Sequence, residues 1–237
     1  MSAFTAKYID IVIPVYNEGE NILRLLESFE REVQTPIRIL ICYDHDDDDT
    51  LSVLDDRHSR FEIVRVKNKG RFAHGAVMTG FEYSDAPAII SYMADDDYNA
   101  GLIDKMAGLF WQANDIVCAS RFIPGGSMIG CPCLKAFLVR MVSFSLYHLA
   151  RLPTHDATNA FRLFSRNLLE KVEIESTDGF TYSLELLAKC HRLGLNVTEL
   201  PAQWFERNKG VSRFQVFKWA KAYLRWYFYV FETTYLH

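Results

Sequence analysis

Five short apolar runs, rich in β-branched residues and separated by stretches of helical periodicity, constrain this chain more than any other feature. Residues 9–15, 37–43, 61–66, 88–93 and 115–119 read as strands, and residues 20–33, 48–58, 75–84 and 102–113 between them read as helices. That alternation predicts parallel strands joined by crossover helices. Right-handed crossovers then place the C-terminal ends of the strands along one edge of the sheet, where open α/β sheets bind their ligands. The residues just past each strand therefore carry the functional information. Tyr16-Asn17-Glu18-Gly19 comes after the first strand, Asp44 through Asp49 after the second, and Asp95-Asp96-Asp97-Tyr98-Asn99 after the fourth. Three carboxylate-bearing loops are expected to converge in space.

After Arg121 the pattern changes. Residues 124–126 form a Pro-Gly-Gly loop, 134–152 an amphipathic helix, 160–164 a short strand, and 168–172 and 182–192 helices. Residues 197–200 read as a strand ended by Pro201, 203–206 as another short strand, 208–210 as a turn and 214–231 as an aromatic-rich helix. A length of 237 residues suits one α/β unit, and 49% hydrophobic with 24% charged residues fits a globular protein with a sizeable core. A net charge of −4 gives no reason to expect nucleic acid as a partner.

Residues 1–7 lack the apolar stretch of a signal peptide, and no run of eighteen or more uncharged apolar residues occurs. The expectation is a cytoplasmic protein that does not cross a membrane by itself. Cys42, Cys118 and Cys190 lie in apolar runs and are expected to be reduced and buried; Cys131 and Cys133 lack the second pair that a zinc site needs.

Asp95 and Asp97 are two apart, so on an extended strand end their carboxylates point to the same side. Two such oxygens suit a hard divalent cation, Mg2+ or Mn2+, which keeps other positions for water and phosphate. The run from Asp44 to Asp49 has the one-three-five acidic spacing of a calcium loop, but Asp49 stands where that loop needs Gly and a strand precedes it. Asp48 and Asp49 suit the first turn of a helix, against its dipole. Asp44, at the strand end, is expected to be free to accept hydrogen bonds from a nucleobase.

Ile11-Val12-Ile13-Pro14-Val15-Tyr16-Asn17-Glu18, Asp44 with Asp48 and Thr50, Asp95-Asp96-Asp97, and Ala119-Ser120-Arg121 with Gly125-Gly126 resemble family 2 glycosyltransferases of the GT-A fold. Asp156 to Arg162, Gly179-Phe180, Glu185, Glu199-Leu200-Pro201, Arg207, Gly210 and Ser212-Arg213 resemble the polyprenyl-phosphate branch, typified by dolichol-phosphate mannose synthase. The resemblance implies a GT-A, Rossmann-like, mostly parallel sheet flanked by helices, with C-terminal amphipathic helices. It implies one domain over 1–237: about 8–119 for the sugar nucleotide, about 120–213 for the acceptor, and 214–237 as an aromatic terminal helix. Pro14, Tyr16, Glu18, Asp44 and Asp95 would line the nucleotide pocket. Asp95 and Asp97, with Asn99, would hold the metal and diphosphate. Arg121, Asn159, Arg207 and Arg213 would surround the acceptor phosphate, for which the planar guanidinium fork is suited. The sequence departs from the family pattern at Tyr43, Asp49, Ala119 and His155.

The implied reaction is metal-dependent transfer of a hexose from a UDP- or GDP-sugar to a polyprenyl phosphate, with inversion at the anomeric carbon. A sugar hydroxyl as acceptor is the alternative, and it needs a base, for which Asp156 and Asp178 are candidates. A phosphoryl-transferring enzyme or a non-catalytic sugar-nucleotide-binding module are further alternatives. The segment 214–231 mixes Lys218, Lys221 and Arg225 with many aromatics, which predicts peripheral contact with the inner face of a membrane; a terminal helix docked on the domain, or on a second copy in a homo-oligomer, has the same pattern. Residues 134–152 could supply a second membrane contact.

Overall fold

Burial with a period of two along the first strands sets the architecture. In β1 (Ile9–Pro14), Ile9, Ile11 and Ile13 enter one core while Val12 enters another. In β2 (Ile37–Tyr43), Ile37, Ile39 and Ile41 take the first side and Leu40 and Cys42 the second. A sheet buried on both faces needs a layer of helices on each. The computed structural model, which describes residues 8–55, 58–206 and 216–236, the last segment with side chains from 221, supplies both layers.

The remaining strands are β3 (Glu62–Lys67), β4 (Ala88–Ser91), β5 (Ile116–Ser120), β6 (Ser127–Ile129), β7 (Arg162–Ser165), β8 (Val197–Pro201) and β9 (Gln203–Phe205). Seven of these strands form one sheet in the order β3-β2-β1-β4-β7-β5-β8, and β6 pairs with β9 in a separate two-stranded ribbon. All pairings in the large sheet are parallel except those of β7, which runs antiparallel between β4 and β5. The chain moves outward from β1 to β2 and β3, then returns to place β4 on the other side of β1. That reversal opens a crevice at the C-terminal ends of β1 and β4.

The helices are α1 (Gly19–Glu32), α2 (Asp49–Ser52), α3 (Phe72–Tyr83), α4 (Leu102–Phe110), α5 (Cys133–His148), α6 (Arg166–Lys171), α7 (Thr181–Arg192) and α8 (Val216–Leu236). α1 buries Ile22, Leu25, Leu26 and Phe29, a helical stripe, on the first face of the sheet. α3 lies against β1 and β2 on the second face, and Gly80 permits it: a Cβ there would come within 2.5 Å of a Val12 methyl.

Several elements differ from the sequence expectation. The helix expected over 48–58 is the single turn α2, because Leu51, Leu54 and Asp55 donate to carbonyls three residues back, which tightens the chain into turns. The helix expected to run to 152 stops at His148, where Arg151 adopts φ 51° just ahead of Pro153. β6 occupies a stretch to which the sequence assigns no element; three residues are too few for periodicity to register. Asp95 falls in a turn rather than on an extended strand end, since β4 closes at Ser91, so the same-side placement of Asp95 and Asp97 does not follow from strand geometry.

Among the described residues no helix is long and apolar enough to cross a membrane. α8 packs on α7, with Trp226 and Val230 fully buried, Trp226 Nε1 donating to Ser176 Oγ at 2.9 Å, and Lys189 and Arg225 over the indole ring. The docked alternative therefore describes this face of α8, while Leu224, Phe228, Tyr235 and Leu236 stay exposed on the helix. Trp226→Ala should lower unfolding free energy by about 3–5 kcal/mol in urea titration; a change below about 1 kcal/mol would mean that α8 does not stabilise the domain.

Candidate active site

The loops after β1 and β2 are fastened to each other by backbone N–H groups meeting acidic side chains. Asn17 N–H is 3.1 Å from both oxygens of Asp48, Glu18 N–H donates to Thr50 Oγ1 at 3.0 Å, and Gly19 N–H donates to Asp49 Oδ1 at 2.9 Å. Asn17 takes a left-handed backbone, φ 52°, to aim these donors, and its own Oδ1 accepts from Asp49 N–H. Asp48 and Thr50 are buried, and Asp48 also caps α2 through Thr50 N–H at 2.9 Å. The sequence suggests for Asp48 and Asp49 only a place in the first turn of a helix; their larger role is to hold the start of α1.

Asp44 is not free as expected. Asn68 Nδ2 donates to one of its oxygens and Phe72 N–H to the other at 3.1 Å, which ties the loop after β3 to the end of β2. Its carboxylate keeps lone pairs beyond these two bonds. Pro14 ends β1 in the core, Tyr16 stands 44% exposed above it, and Glu18 accepts from Asn21 just ahead of α1.

In the loop after β4 the three aspartates have different surroundings. Asn99 Nδ2 donates to both oxygens of Asp96, at 2.8 and 2.9 Å. Burial pushes the Asp96 carboxyl up to about 6, with the Asp95 charge adding to the rise and the Asn99 bonds opposing it. Asp97 stays part-exposed, its nearest cation Arg24 Nε on α1 at 3.9 Å, and Asp95 is also part-exposed. Asn99 is corrected as a metal ligand: it is buried, it donates to Asp96 and to Gln203 O, and its Oδ1 accepts from Gln203 N–H at 3.1 Å. It ties the β4 loop to β9.

On the acceptor side, Arg121 is likewise committed to the protein. Its Nε and Nη2 grip Asp156 at 2.7 and 2.8 Å, Nη2 also reaches Thr158 Oγ1, and Nη1 meets the Met128 thioether at 3.6 Å. Asp156 is fully buried and accepts further from the N–H groups of Arg121, Thr158 and Asn159. Burial alone would raise its carboxyl, but the Arg121 charge and hydrogen bonds outweigh this and hold it below the usual carboxylate range. Both Asp156 oxygens are thus engaged within the protein, and Asp178, the other candidate base, lies exposed just ahead of α7.

Asn159 is also turned inward: its Nδ2 donates to Ala119 O and its Oδ1 accepts from Phe161 N–H. Arg207 and Arg213 lie outside the described residues. Three residues complete this side: Arg162 and Glu199, which the sequence motifs contain without a role, and His74, which they do not contain. Arg162, fully buried, joins Asp156 O to Ser183 on α7. Glu199 receives Thr154 and His155. His74, whose imidazole burial holds below its ordinary value, meets Gly179 O at 3.3 Å across the two halves of the chain. A buried arginine in an apolar strand, as at Arg162, was the available signal.

The family described as Glycosyl transferase family 2 matches residues 10–173. The polyprenol monophosphomannose synthase of Mycolicibacterium smegmatis is 24% identical over 212 residues, 86% of this chain and 79% of that protein. The dolichyl-phosphate hexose transferase of Haloferax volcanii is 27% identical over 212 residues, covering 87% of each. Among solved structures, glucosyl-3-phosphoglycerate synthase of Mycobacterium tuberculosis, crystallised with Mn2+, UDP and phosphoglyceric acid, aligns with TM-score 0.65 at 14% identity over 97% of this chain and 78% of that one. That likeness shows the fold, which is GT-A.

Removing one partner of the buried Arg121–Asp156 pair leaves the other charge uncompensated. Asp156→Asn should cost about 3–5 kcal/mol in denaturant titration at pH 7, and the loss should shrink when Arg121→Met is added. Because the Asp156 pKa is depressed on folding, its contribution is present above the unfolded carboxylate range and disappears as pH falls through the folded value. A loss at pH 7 no larger than that at pH 2 would contradict this role.

Proposed function

The chain belongs to glycosyl transferase family 2, and from that premise we propose that it moves a hexose from a UDP- or GDP-sugar to a polyprenyl-phosphate acceptor. In this reading, residues of about 8–119 hold the donor and residues of about 120–213 the acceptor. One observation carries the proposal furthest. In the loop after β4, Asp96 is bonded on both oxygens by Asn99, while its neighbour Asp97, part-exposed, has Arg24 of α1 at 3.9 Å.

Asp95 and Asp97 fit a divalent metal by their chemistry, as hard oxygen donors without thiol or imidazole company. Among the described residues no group of three His, Cys, Asp or Glu side chains could hold an ion, so two carboxylates are what this loop brings to one. A bound Mg2+ or Mn2+ would offset the charge that builds on a departing diphosphate. Pro14, Tyr16, Glu18 and Asp44 border the same crevice and would position the nucleoside.

The acceptor reading draws support from the names of the relatives from M. smegmatis and H. volcanii, which cover most of this chain. It also accords with the state of Asp156. A phosphate oxygen is already an anion and attacks the anomeric carbon without a base, the nucleoside diphosphate leaving from the opposite face. A hydroxyl acceptor requires a base, and Asp156 is withdrawn into its ion pair. Arg121 Nη1, the part of that guanidinium not bonded to Asp156, is the group through which Arg121 would meet an acceptor anion.

Incubation with UDP- and GDP-hexoses, Mg2+ or Mn2+ and a short polyprenyl phosphate, followed by mass analysis, should yield the hexosyl phosphate lipid. Asp97→Asn should lower kcat by about two to three orders of magnitude with an unchanged melting temperature. Transfer only to a free saccharide would replace the lipid acceptor by the hydroxyl one. Near-normal turnover of Asp97→Asn at saturating metal would remove Asp97 from the reaction.

A further inference from the structure

Phe72 combines two features that a side chain of its type avoids. Its backbone takes the left-handed conformation, φ 59°, at a cost in free energy that Gly escapes and Asn largely escapes. Its ring is 78% exposed, more than any other large apolar side chain among the described residues. Strain of this kind persists only where the surroundings over-determine it, and it collects at ligand sites.

The loop before α3 supplies that over-determination. Phe72 N–H donates to Asp44 Oδ2 at 3.1 Å, and Phe72 O accepts from Asn68 Nδ2 at 3.2 Å, so both of its backbone groups are clamped. Asn68 Oδ1 in turn accepts from Gly70 N–H at 2.8 Å, and Lys69 N–H donates to Thr79 Oγ1 at 3.0 Å. Gly75 lets the turn close, since a Cβ there would come within 3.0 Å of the Gly70 backbone. All of these contacts are made by backbone, Asn68, Asp44 and Thr79. The phenyl ring takes no part in them and is what the loop presents to solvent.

Strand register sets where the ring lies. Pro14 is opposite Cys42 and Tyr43 is opposite Lys67, so Asp44 follows between Tyr16 on one side and Asn68 on the other. The bonds from Val15 N–H to Cys42 O and from Asn68 N–H to Tyr43 O, at 2.9 and 2.8 Å, carry this register past the strand ends. Tyr16 belongs to the loop that leads into α1, on the first face of the sheet, and Phe72 opens α3 on the second. Two rings, 44% and 78% exposed, thus flank one carboxylate that keeps lone pairs. A nucleobase has the matching chemistry: N–H donors along one edge for the carboxylate, and two π faces for the rings.

We propose that Phe72 is a wall of the donor site and stacks on the base of the nucleoside diphosphate, with Asp44 accepting from the edge of the base and Tyr16 covering its other face. The proposal rests on the donor reading given above and adds the residue that grips the base. Clamping the backbone of Phe72 orders the ring before the nucleotide arrives, so binding does not bear the entropy of fixing it.

Calorimetric titration with UDP, GDP and inorganic diphosphate, each with Mn2+, tests this on the intact chain, Phe72→Ala, Phe72→Gly and Phe72→Trp. Phe72→Ala should weaken UDP and GDP binding about tenfold and leave diphosphate binding within about twofold. Phe72→Trp should bind both nucleotides within about threefold of the intact chain, and its added indole emission should fall with nucleotide but not with diphosphate. Phe72→Gly should lose at least as much nucleotide affinity as Phe72→Ala yet melt no lower than the intact chain, because glycine adopts the left-handed backbone without strain. Unchanged nucleotide affinity in Phe72→Ala, an equal loss for diphosphate, a Phe72→Trp variant as weak as Phe72→Ala, or a dimer in light scattering that Phe72→Ala splits would each overturn the proposal. An intact chain that binds neither UDP nor GDP would sink the donor reading and this proposal with it, whereas nucleotide binding indifferent to Phe72 would sink this proposal alone.

Discussion

A carboxylate drawn out of water at a strand edge must find N–H donors, and the arrangement of this molecule depends on where those donors are. Asp48 finds them on Asn17 and Thr50, Asp96 on Asn99, and Asp156 on Arg121, Thr158 and Asn159. In each case the donor lies on another segment or across a tight turn, so satisfying the charge also fixes a loop. A hydrogen bond to an ionised group contributes about 1.5–3 kcal/mol, and leaving such a buried group unmet costs at least as much. The loops at the C-terminal edge are therefore set by electrostatics that the sheet beneath them does not supply.

The same constraint divides the acidic residues by role. The satisfied carboxylates hold the walls of the crevice, and a group so engaged is a poor base or ligand. Asp95 and Asp97 flank Asp96 in the same loop and are the residues proposed to meet a cation and a diphosphate. Opposite them, Arg162 and Glu199 fasten the 154–159 loop to α7 and β8. α8 closes the second face over α7. α5, braced from behind, keeps Leu134, Phe137, Leu138, Met141 and Phe144 exposed on its outer side.

Strands buried on both faces announced themselves in the sequence by β-branched runs at sheet spacing, and the loops just past them located the crevice. Which side chains in those loops remain available was not legible, because it depends on contacts between distant positions. Asn99 is withdrawn by Gln203, Arg121 by Asp156 and Asp44 by Asn68 and Phe72, and neither spacing nor residue type distinguishes a ligand from a brace. β7 could be recognised as a strand but not as the antiparallel insertion between β4 and β5, since direction is a property of pairing. In α8 the aromatic stripe suited a membrane and a docked helix equally, and which of its residues dock, Trp226 and Val230, was set by contacts with α7 that spacing does not show. In α5 the helical period was plain, but the side that is buried was not.

The proposed roles of Asp95 and Asp97 at the diphosphate and of Asp96 as a brace of the loop are tested most directly by calorimetric titration of UDP and GDP, with and without Mn2+. The chains to compare are the intact protein, Asp95→Asn, Asp97→Asn and Asp96→Asn. If Asp95 and Asp97 face the diphosphate and Asp96 braces the loop, Mn2+ should tighten nucleotide binding in the intact protein and in Asp96→Asn, and should cease to do so in the other two. Retention of the Mn2+ effect in Asp97→Asn, with its loss in a folded Asp96→Asn, would contradict that division.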